Sequence, residues 1–314
     1  MEPVRRAVID VGTNSIKLLV ADVAGCNVRP IHEESRQTRL GRGFYETHRL
    51  QPETIAHTAE AVWEFANTAR EKSSNSIRVI ATSAARDAAN PGDLTSAIER
   101  VSDLKVEIIS GDQEAEWAFQ GVTAGTELAK TPLLLLDVGG GSTEFILGQR
   151  DHKHFAHSFP LGTVRLMETI PHSDPPTRGE FIACRDWIKN FLQTEVRPSL
   201  EPALLRATGS KRGAIQLVGT GGTTSILARI ENRLDRFDRD RIEATRLNLE
   251  RVTAHRRRLW SLSLAKRKEI PGLPKLRADV ILTGVAIYEG VMKEFGFEQL
   301  RISTRGLRFA AVMD

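Results

Sequence analysis

The sequence is short of several things, and each shortage removes a class of protein. No apolar run approaches the ~20 residues needed to span a bilayer; the run 133–136, for one, is stopped by Asp137. A membrane-spanning chain is therefore not expected. Cysteine is scarce: Cys26 and Cys184 cannot build a disulfide framework or a four-ligand zinc site. The opening Met-Glu-Pro-Val-Arg-Arg leads straight into a strand-like run, with no separate apolar signal core or cleavage site. These features together predict a cytoplasmic protein. No G-x-x-x-x-G-K-[ST] occurs, which excludes a P-loop nucleotide site. No full G-x-G-x-x-G follows the first strand-like run, so a dinucleotide-dependent dehydrogenase is not expected either. Low-complexity stretches are absent.

What the sequence does contain is size, a repeat and an uneven charge. Its 314 residues are long for one domain and comfortable for two of about 150 each. The net charge of +4 comes from 44 basic and 40 acidic residues, a balance that does not predict a nucleic-acid partner. The distribution says more. Residues 229–268 hold 13 Lys or Arg and 6 Asp or Glu, a local +7, whereas the remainder, with 31 basic and 34 acidic residues, is −3. Either this segment attracts an anionic partner or it is a solvated helical face.

Two apolar, branched runs, 4–10 and 16–22, flank a small polar loop and predict a strand–loop–strand hairpin. Helical spacing of Ile55, Ala59, Val62, Trp63, Ala66 and Ala69 predicts a helix over 52–72, with Pro52 at its start. Strands are expected over 77–81 and 106–110, and a helix over 114–123 after the turn at Ser110. The opening then repeats. Asp10-Val11-Gly12 aligns with Asp137-Val138-Gly139, Ser15 with Ser142, and residues 18–20 with 145–147, at a constant offset of 127. One duplicated unit of this size implies two related halves with a boundary at 125–131, unlike a short-period solenoid. In the second half a helix is expected over 177–196, a strand over 215–218, two helices within the basic segment, a buried helix over 277–292 and a last short helix over 305–312.

The paired loops carry the chemistry. A strand ending in Asp, followed by Gly-x-x-Ser, gathers several backbone N–H groups into one concavity suited to phosphate oxygens. Glycine is needed there because a Cβ would block close backbone approach. Asp10 and Asp137 are expected at the strand ends, side by side across a cleft between the halves. Carboxylates there suit Mg²⁺, which takes one or two protein ligands plus phosphate oxygens. Glu144 returns toward the same mouth. A third cluster, Gly219-Thr-Gly-Gly-Thr-Thr, joins a strand to a helix and reads either as a phosphate site at a helix N-terminus or as a tight connection. Glu114 reads either as a general base on water or as a helix N-terminal acid favoured by the dipole. Arg86 reads either as a bidentate phosphate clamp or as one member of a surface ion pair.

Several segments together resemble the exopolyphosphatase/guanosine pentaphosphate phosphohydrolase (Ppx/GppA) family. They are Ala7-Val-Ile-Asp-Val-Gly-Thr-Asn-Ser15, Ala81-Thr-Ser-Ala-Ala-Arg-Asp-Ala88, Ile109-Ser-Gly-Asp-Gln-Glu-Ala115, Leu136-Asp-Val-Gly-Gly-Gly-Ser-Thr-Glu144, Pro160-Leu-Gly-Thr-Val-Arg165, Val218-Gly-Thr-Gly-Gly-Thr223 and Arg277-Ala-Asp-Val-Ile281. Their order and spacing run through nearly the whole chain. The resemblance implies an α/β, two-lobed actin-like/Hsp70/sugar kinase (ribonuclease H-like) fold with a cleft between duplicated domains. The lobes would be 1–126 and 127–314, with the C-terminal helix near 303–314 packing back on the first.

The resemblance also implies roles. Glu114 matches the family's catalytic base and Arg86 its phosphate-contacting arginine. Gly12, Thr13, Asn14 and Ser15, with Gly139, Gly140, Gly141 and Ser142, match its two phosphate loops. Gly221 and Gly222 join them as phosphate-binding candidates. Asp137 and Glu144 match its acidic Mg²⁺ site, with Asp10 nearby and Mn²⁺ as the alternative ion. Two departures stand out: Gln113 precedes the base where the family often has Glu, and the terminal motif is Thr304-Arg-Gly-Leu-Arg-Phe-Ala310. That motif lacks two acids and leaves Arg305 and Arg308, so the C-terminal helix is expected to meet substrate differently. Longer family members carry C-terminal helical domains, including an HD-type domain, and this chain resembles the short form. The expected activity is hydrolysis of the terminal phosphoanhydride of inorganic polyphosphate, with short chains preferred. Removal of the 5′-phosphate of guanosine pentaphosphate (pppGpp) is the alternative. A kinase of the same fold would instead show ATP-dependent transfer, and a non-hydrolysing polyphosphate or nucleotide binder would show binding without phosphate release. The expected partner is polyphosphate or (p)ppGpp, and a homodimer is carried as an expectation; a membrane is not.

Overall fold

In the computed structural model, which describes residues 2–150, 152–208 and 215–314, the first hairpin forms where alternation and branching predict it. Strand β1 (Val4–Val11) pairs antiparallel with β2 (Ile16–Ala24), and the register sets Asp10 opposite Lys17. Strand β3 (Asn27–Arg36) adds to the outside of β2. Strands β4 (Ser76–Ala81) and β5 (Val106–Ile108) join β1 in parallel, giving the order β3-β2-β1-β4-β5.

Both faces of this sheet are covered, which is why β1 and β2 read as near-continuous apolar runs. Ile9, Leu18 and Val20 pack with Ile55, Ala59, Val62, Phe65 and Ala66 of the helix Pro52–Glu71. Val8, Leu19 and Ile80 pack on the opposite face with Trp117, Leu307 and Phe309. Each fully buried side chain of this kind contributes about 1.5–3 kcal/mol. Gly121, in the helix Gly111–Thr123, is there for close approach: a Cβ would collide with the backbone carbonyl of Gly306.

The second sheet repeats the plan. Strand β6 (Leu133–Val138) pairs antiparallel with β7 (Thr143–Gln149), which pairs with β8 (His152–Phe159). Strand β9 (Gln216–Thr220) lies parallel to β6, followed outward by β11 (Gln299–Ile302) and β10 (Arg246–Asn248). The helix Ile281–Phe295 is buried along most of its length and packs into this unit's core. Among the described residues the chain separates into two compact units. One holds residues 1–126, 139–141 and 305–314, and the other residues 127–138 and 142–304.

Several elements depart from the sequence expectations. The edge strands β3 and β8 were not predicted. Both are polar and partly exposed, with Pro30 in one and three histidines in the other, so the near-continuous apolar run that marks an inner strand is missing. The helix expected to end at 196 continues. Arg178–Phe191 passes into a π-helical turn, Leu192–Val196, and then into Arg197–Thr208. A widened turn leaves the ladder open where Pro198, which has no N–H to donate, follows it.

Candidate active site

The loop after β1 is tight: the Gly12 N–H bonds the Ser15 carbonyl at 3.1 Å, and a Cβ on Gly12 would stand 3.0 Å from that oxygen. Thr13, Asn14 and Ser15 are all buried. Residues 39–41 brace the loop from behind, with Arg39 N–H to Asn14 O at 3.0 Å and Gly41 N–H to Thr13 O at 2.7 Å. Among the described residues, the Asn14 side-chain nitrogen is buried without a hydrogen-bond partner. Leaving such a donor unmade costs about 1–3 kcal/mol, so it marks a place where an acceptor belongs. Gly139–Gly141 group with this same unit. A Cβ on Gly140 would lie 2.8 Å from the Thr13 Cβ, and one on Gly141 would overlap the hydroxyls of Ser83 and Tyr45. Only glycine lets the second loop's tip approach the first so closely.

Glu114 stands in the first turn of the helix Gly111–Thr123, which Ser110 caps by accepting from the Gln113 N–H at 3.1 Å. Arg86, in the short helix Ser83–Asp87, donates from Nη1 to Glu114 Oε2 at 2.9 Å and to the Ile109 carbonyl at 3.1 Å. Both readings of Arg86 are thus partly answered: it is an ion-pair member, and its partner is the candidate base. With side chains 23% and 12% exposed, the pair can still be reached from solvent.

The duplicated halves differ in charge at one position. Asp10 faces Lys17, with its Oδ2 3.7 Å from the ammonium, whereas the matching register in the second unit sets Asp137 directly opposite Glu144. A carboxylate already facing an ammonium is a poorer cation ligand than two facing carboxylates, whose like charges repel unless a cation lies between them. Glu144 is buried, and its Oε1 accepts from the Ser142 and Ser158 hydroxyls at 2.9 and 2.7 Å. Gly221 has φ +86, and a Cβ there would stand 2.6 Å from Asp137 Oδ1, so the helix Gly221–Asn232 begins against that carboxylate. Among the described residues, no group of three or more His, Cys, Asp or Glu side chains is assembled to hold a metal. Two hard oxygen donors, with water and phosphate oxygens completing the sphere, nonetheless fit the habit of Mg²⁺ or Mn²⁺.

The third glycine cluster resolves position by position. Gly219 makes room for the Tyr288 ring and the Thr224 methyl, a packing role. Gly222 lies beside the Arg277 guanidinium, 3.6 Å from where a Cβ would be. Sequence reasoning named Arg277 only as part of a resembling segment, with no role of its own, and did not single out Tyr288, because neither stands next to a glycine loop in the chain. The arginines of the terminal motif have protein partners: Arg308 donates to the Leu18 carbonyl at 2.7 Å and Arg305 to the Gly121 carbonyl at 2.9 Å. Much of the basic segment is likewise engaged. Arg251 pairs with Glu231, Arg256 with Glu289, and Arg267 is buried against the Leu262 carbonyl. Arg233, Arg236, Arg257, Arg258, Lys266 and Lys268 remain exposed.

Residues 19–313 match the Ppx/GppA phosphatase family. The chain is 35% identical over 315 aligned residues to exopolyphosphatase 2 of Mycobacterium tuberculosis, covering 95% of this chain and 94% of that one. A crystal structure of an exopolyphosphatase from Cytophaga hutchinsonii superposes with a TM-score of 0.85 at 27% identity, over 98% of this chain and 96% of that one. An exopolyphosphatase-like protein superposes with a TM-score of 0.87 at 27% identity, over 100% and 98%. By sequence and by fold, the chain belongs to the Ppx/GppA phosphatase family.

Proposed function

We propose that the protein is an exopolyphosphatase that hydrolyses the terminal phosphoanhydride of inorganic polyphosphate and releases orthophosphate. The observation that carries this reading is the cross-strand pair Asp137–Glu144 beside a glycine loop, in a chain 35% identical over nearly its whole length to exopolyphosphatase 2 of Mycobacterium tuberculosis. Glu114 accepts a proton from water as the water oxygen attacks the terminal phosphorus. The bridging P–O bond breaks, and its electron pair goes to the oxygen that becomes the new chain end. Arg86 orients Glu114 by holding one carboxylate oxygen. The loops 12–15 and 139–142, with the Asn14 amide, receive the oxygens of the terminal phosphate. Arg277, beside Gly222 at the start of a helix, adds positive charge where a second phosphate would follow. Asp137 and Glu144 would hold Mg²⁺ or Mn²⁺, which would neutralise phosphate charge. Such a site works by positioning and electrostatics, as phosphoryl transfer requires. The exposed arginines and lysines of 229–268 attract the rest of the polyanion, a weaker and salt-dependent contribution.

The test is phosphate release from polyphosphates of defined length, with pppGpp as the competing substrate and Mg²⁺ or Mn²⁺ supplied or chelated. Faster release from polyphosphate, dependent on the metal, is expected. A higher kcat/KM on pppGpp would shift the reading to the nucleotide, and ATP-dependent transfer without phosphate release would replace hydrolysis with a kinase reaction.

A further inference from the structure

Tyr288 is fully buried, yet it projects from the helix Ile281–Phe295 to the ends of the two strands that carry the acidic and glycine-rich loops. Its hydroxyl lies 3.2 Å from the Leu136 carbonyl, at the residue before Asp137, and 3.3 Å from the Thr220 carbonyl, at the residue before Gly221. The Thr224 side chain and the Val138 backbone also interact with this hydroxyl. Its one proton is shared between the two carbonyls, so its polar surroundings are groups flanking Asp137 and opening the helix Gly221–Asn232. Gly219 is glycine to admit it: a Cβ there would stand 3.0 Å from both the Tyr288 hydroxyl and its ring.

Packing alone does not require this arrangement. A phenylalanine would fill the same space, and burying a hydroxyl is unfavourable unless it is fully bonded. We propose that Tyr288 is a positioning residue for the hydrolytic site: its hydroxyl ties the end of β6 to the end of β9 and so fixes Asp137 relative to Gly221 and Gly222. The inference rests on the reading that these loops serve the terminal phosphate. Burial, and the carboxylate of Asp137 nearby, hold the phenol well above its usual pKa, so it remains a neutral donor across the working pH range.

The experiment uses Tyr288→Phe, which keeps the ring against Gly219, and Thr224→Val, which removes one bond to the hydroxyl while keeping the methyl contact. Hydrogen exchange followed by mass spectrometry reads the pinning directly and does not depend on activity. In Y288F, peptides covering 133–144 and 216–225 should exchange about 10-fold faster, with the remaining peptides unchanged. T224V should show a smaller change at the same places. Mn²⁺ binding followed by electron paramagnetic resonance, and kcat for phosphate release, should each fall by about 10–100-fold, as when an outer-shell partner is lost, with little change in KM for the polyphosphate chain. Unchanged exchange in both variants would overturn the tie. Faster exchange with unaltered Mn²⁺ affinity and kcat would overturn the positioning role. Failure of the underlying reading looks different: D137N would keep wild-type phosphate release while the exchange results stood.

Discussion

At the residue scale, one sequence position separates the two halves of a duplicated motif. The offset that aligns Asp10 with Asp137 aligns Lys17 with Glu144, so one half carries an internal ion pair and the other a pair of facing carboxylates. Facing like charges on adjacent strands are destabilising by up to about 1 kcal/mol. Replacing Asp137 by Asn should therefore leave thermal stability in EDTA equal to or above that of the wild type. Added Mg²⁺ or Mn²⁺ should raise the melting temperature of the wild type, as any ligand of the folded state does, and fail to raise that of D137N. Equal metal-induced shifts in the two proteins would place the cation elsewhere. The alignment was legible in the sequence as glycines and aspartates. The charge asymmetry sat in the same alignment, but it gains meaning only when the antiparallel register sets those side chains opposite one another. Arg86 shows the same limit: its type suggested a phosphate clamp, and only the fold brings it to Glu114, 28 residues away in the chain.

At the scale of elements, close approach and capping make two further predictions. Gly121→Ala would drive a Cβ into the Gly306 backbone, and overpacking of this kind costs about 1–3 kcal/mol. Urea denaturation should show that loss, with Gly92→Ala, where a Cβ meets nothing within 4 Å, as the neutral control. The helix Arg178–Phe191 opens with a capping box in which Thr177 and Glu180 bond reciprocally. Hydrogen bonds from the Thr177 N–H first, then from Ser173, lower the Glu180 pKa to about 2. The stabilisation is present above the unfolded glutamate value of about 4.3 and is lost as pH falls toward 2. Glu180→Gln should melt below the wild type at pH 6, and the gap should close by pH 2. A gap independent of pH would show that the carboxylate charge contributes nothing. Inner strands were legible as near-continuous apolar runs and amphipathic helices by their 3.6-residue period, because burial imposes both. The edge strands β3 and β8 were not, since one side of each pairs with nothing and their residues answer to solvent.

At the scale of the whole molecule, the sequence predicted the charge distribution better than its use. The basic excess of 229–268 is real, yet Arg251, Arg256 and Arg267 are held by Glu231, Glu289 and the Leu262 carbonyl. A segment that read either as an attractor of an anionic partner or as a solvated helical face is thus part scaffold and part exposed charge. The same division applies to the glycines: Gly219 serves packing against Tyr288, while Gly221 serves the approach of a helix start to Asp137. Motif spacing picked out the candidate site residues. Long-range packing, which no single-sequence pattern encodes, brings Arg86 to Glu114 and Tyr288 to the ends of β6 and β9.

In the proposed mechanism Glu114 activates water against a terminal phosphate. Phosphate release from polyphosphate of defined length, with Mg²⁺, by wild type and by Glu114→Gln tests it most directly. Loss of a general base lowers turnover by about 10²–10⁴-fold. E114Q should show a drop of that size in kcat, with its melting temperature and polyphosphate binding unchanged. Phosphate release by E114Q at the wild-type rate would contradict it.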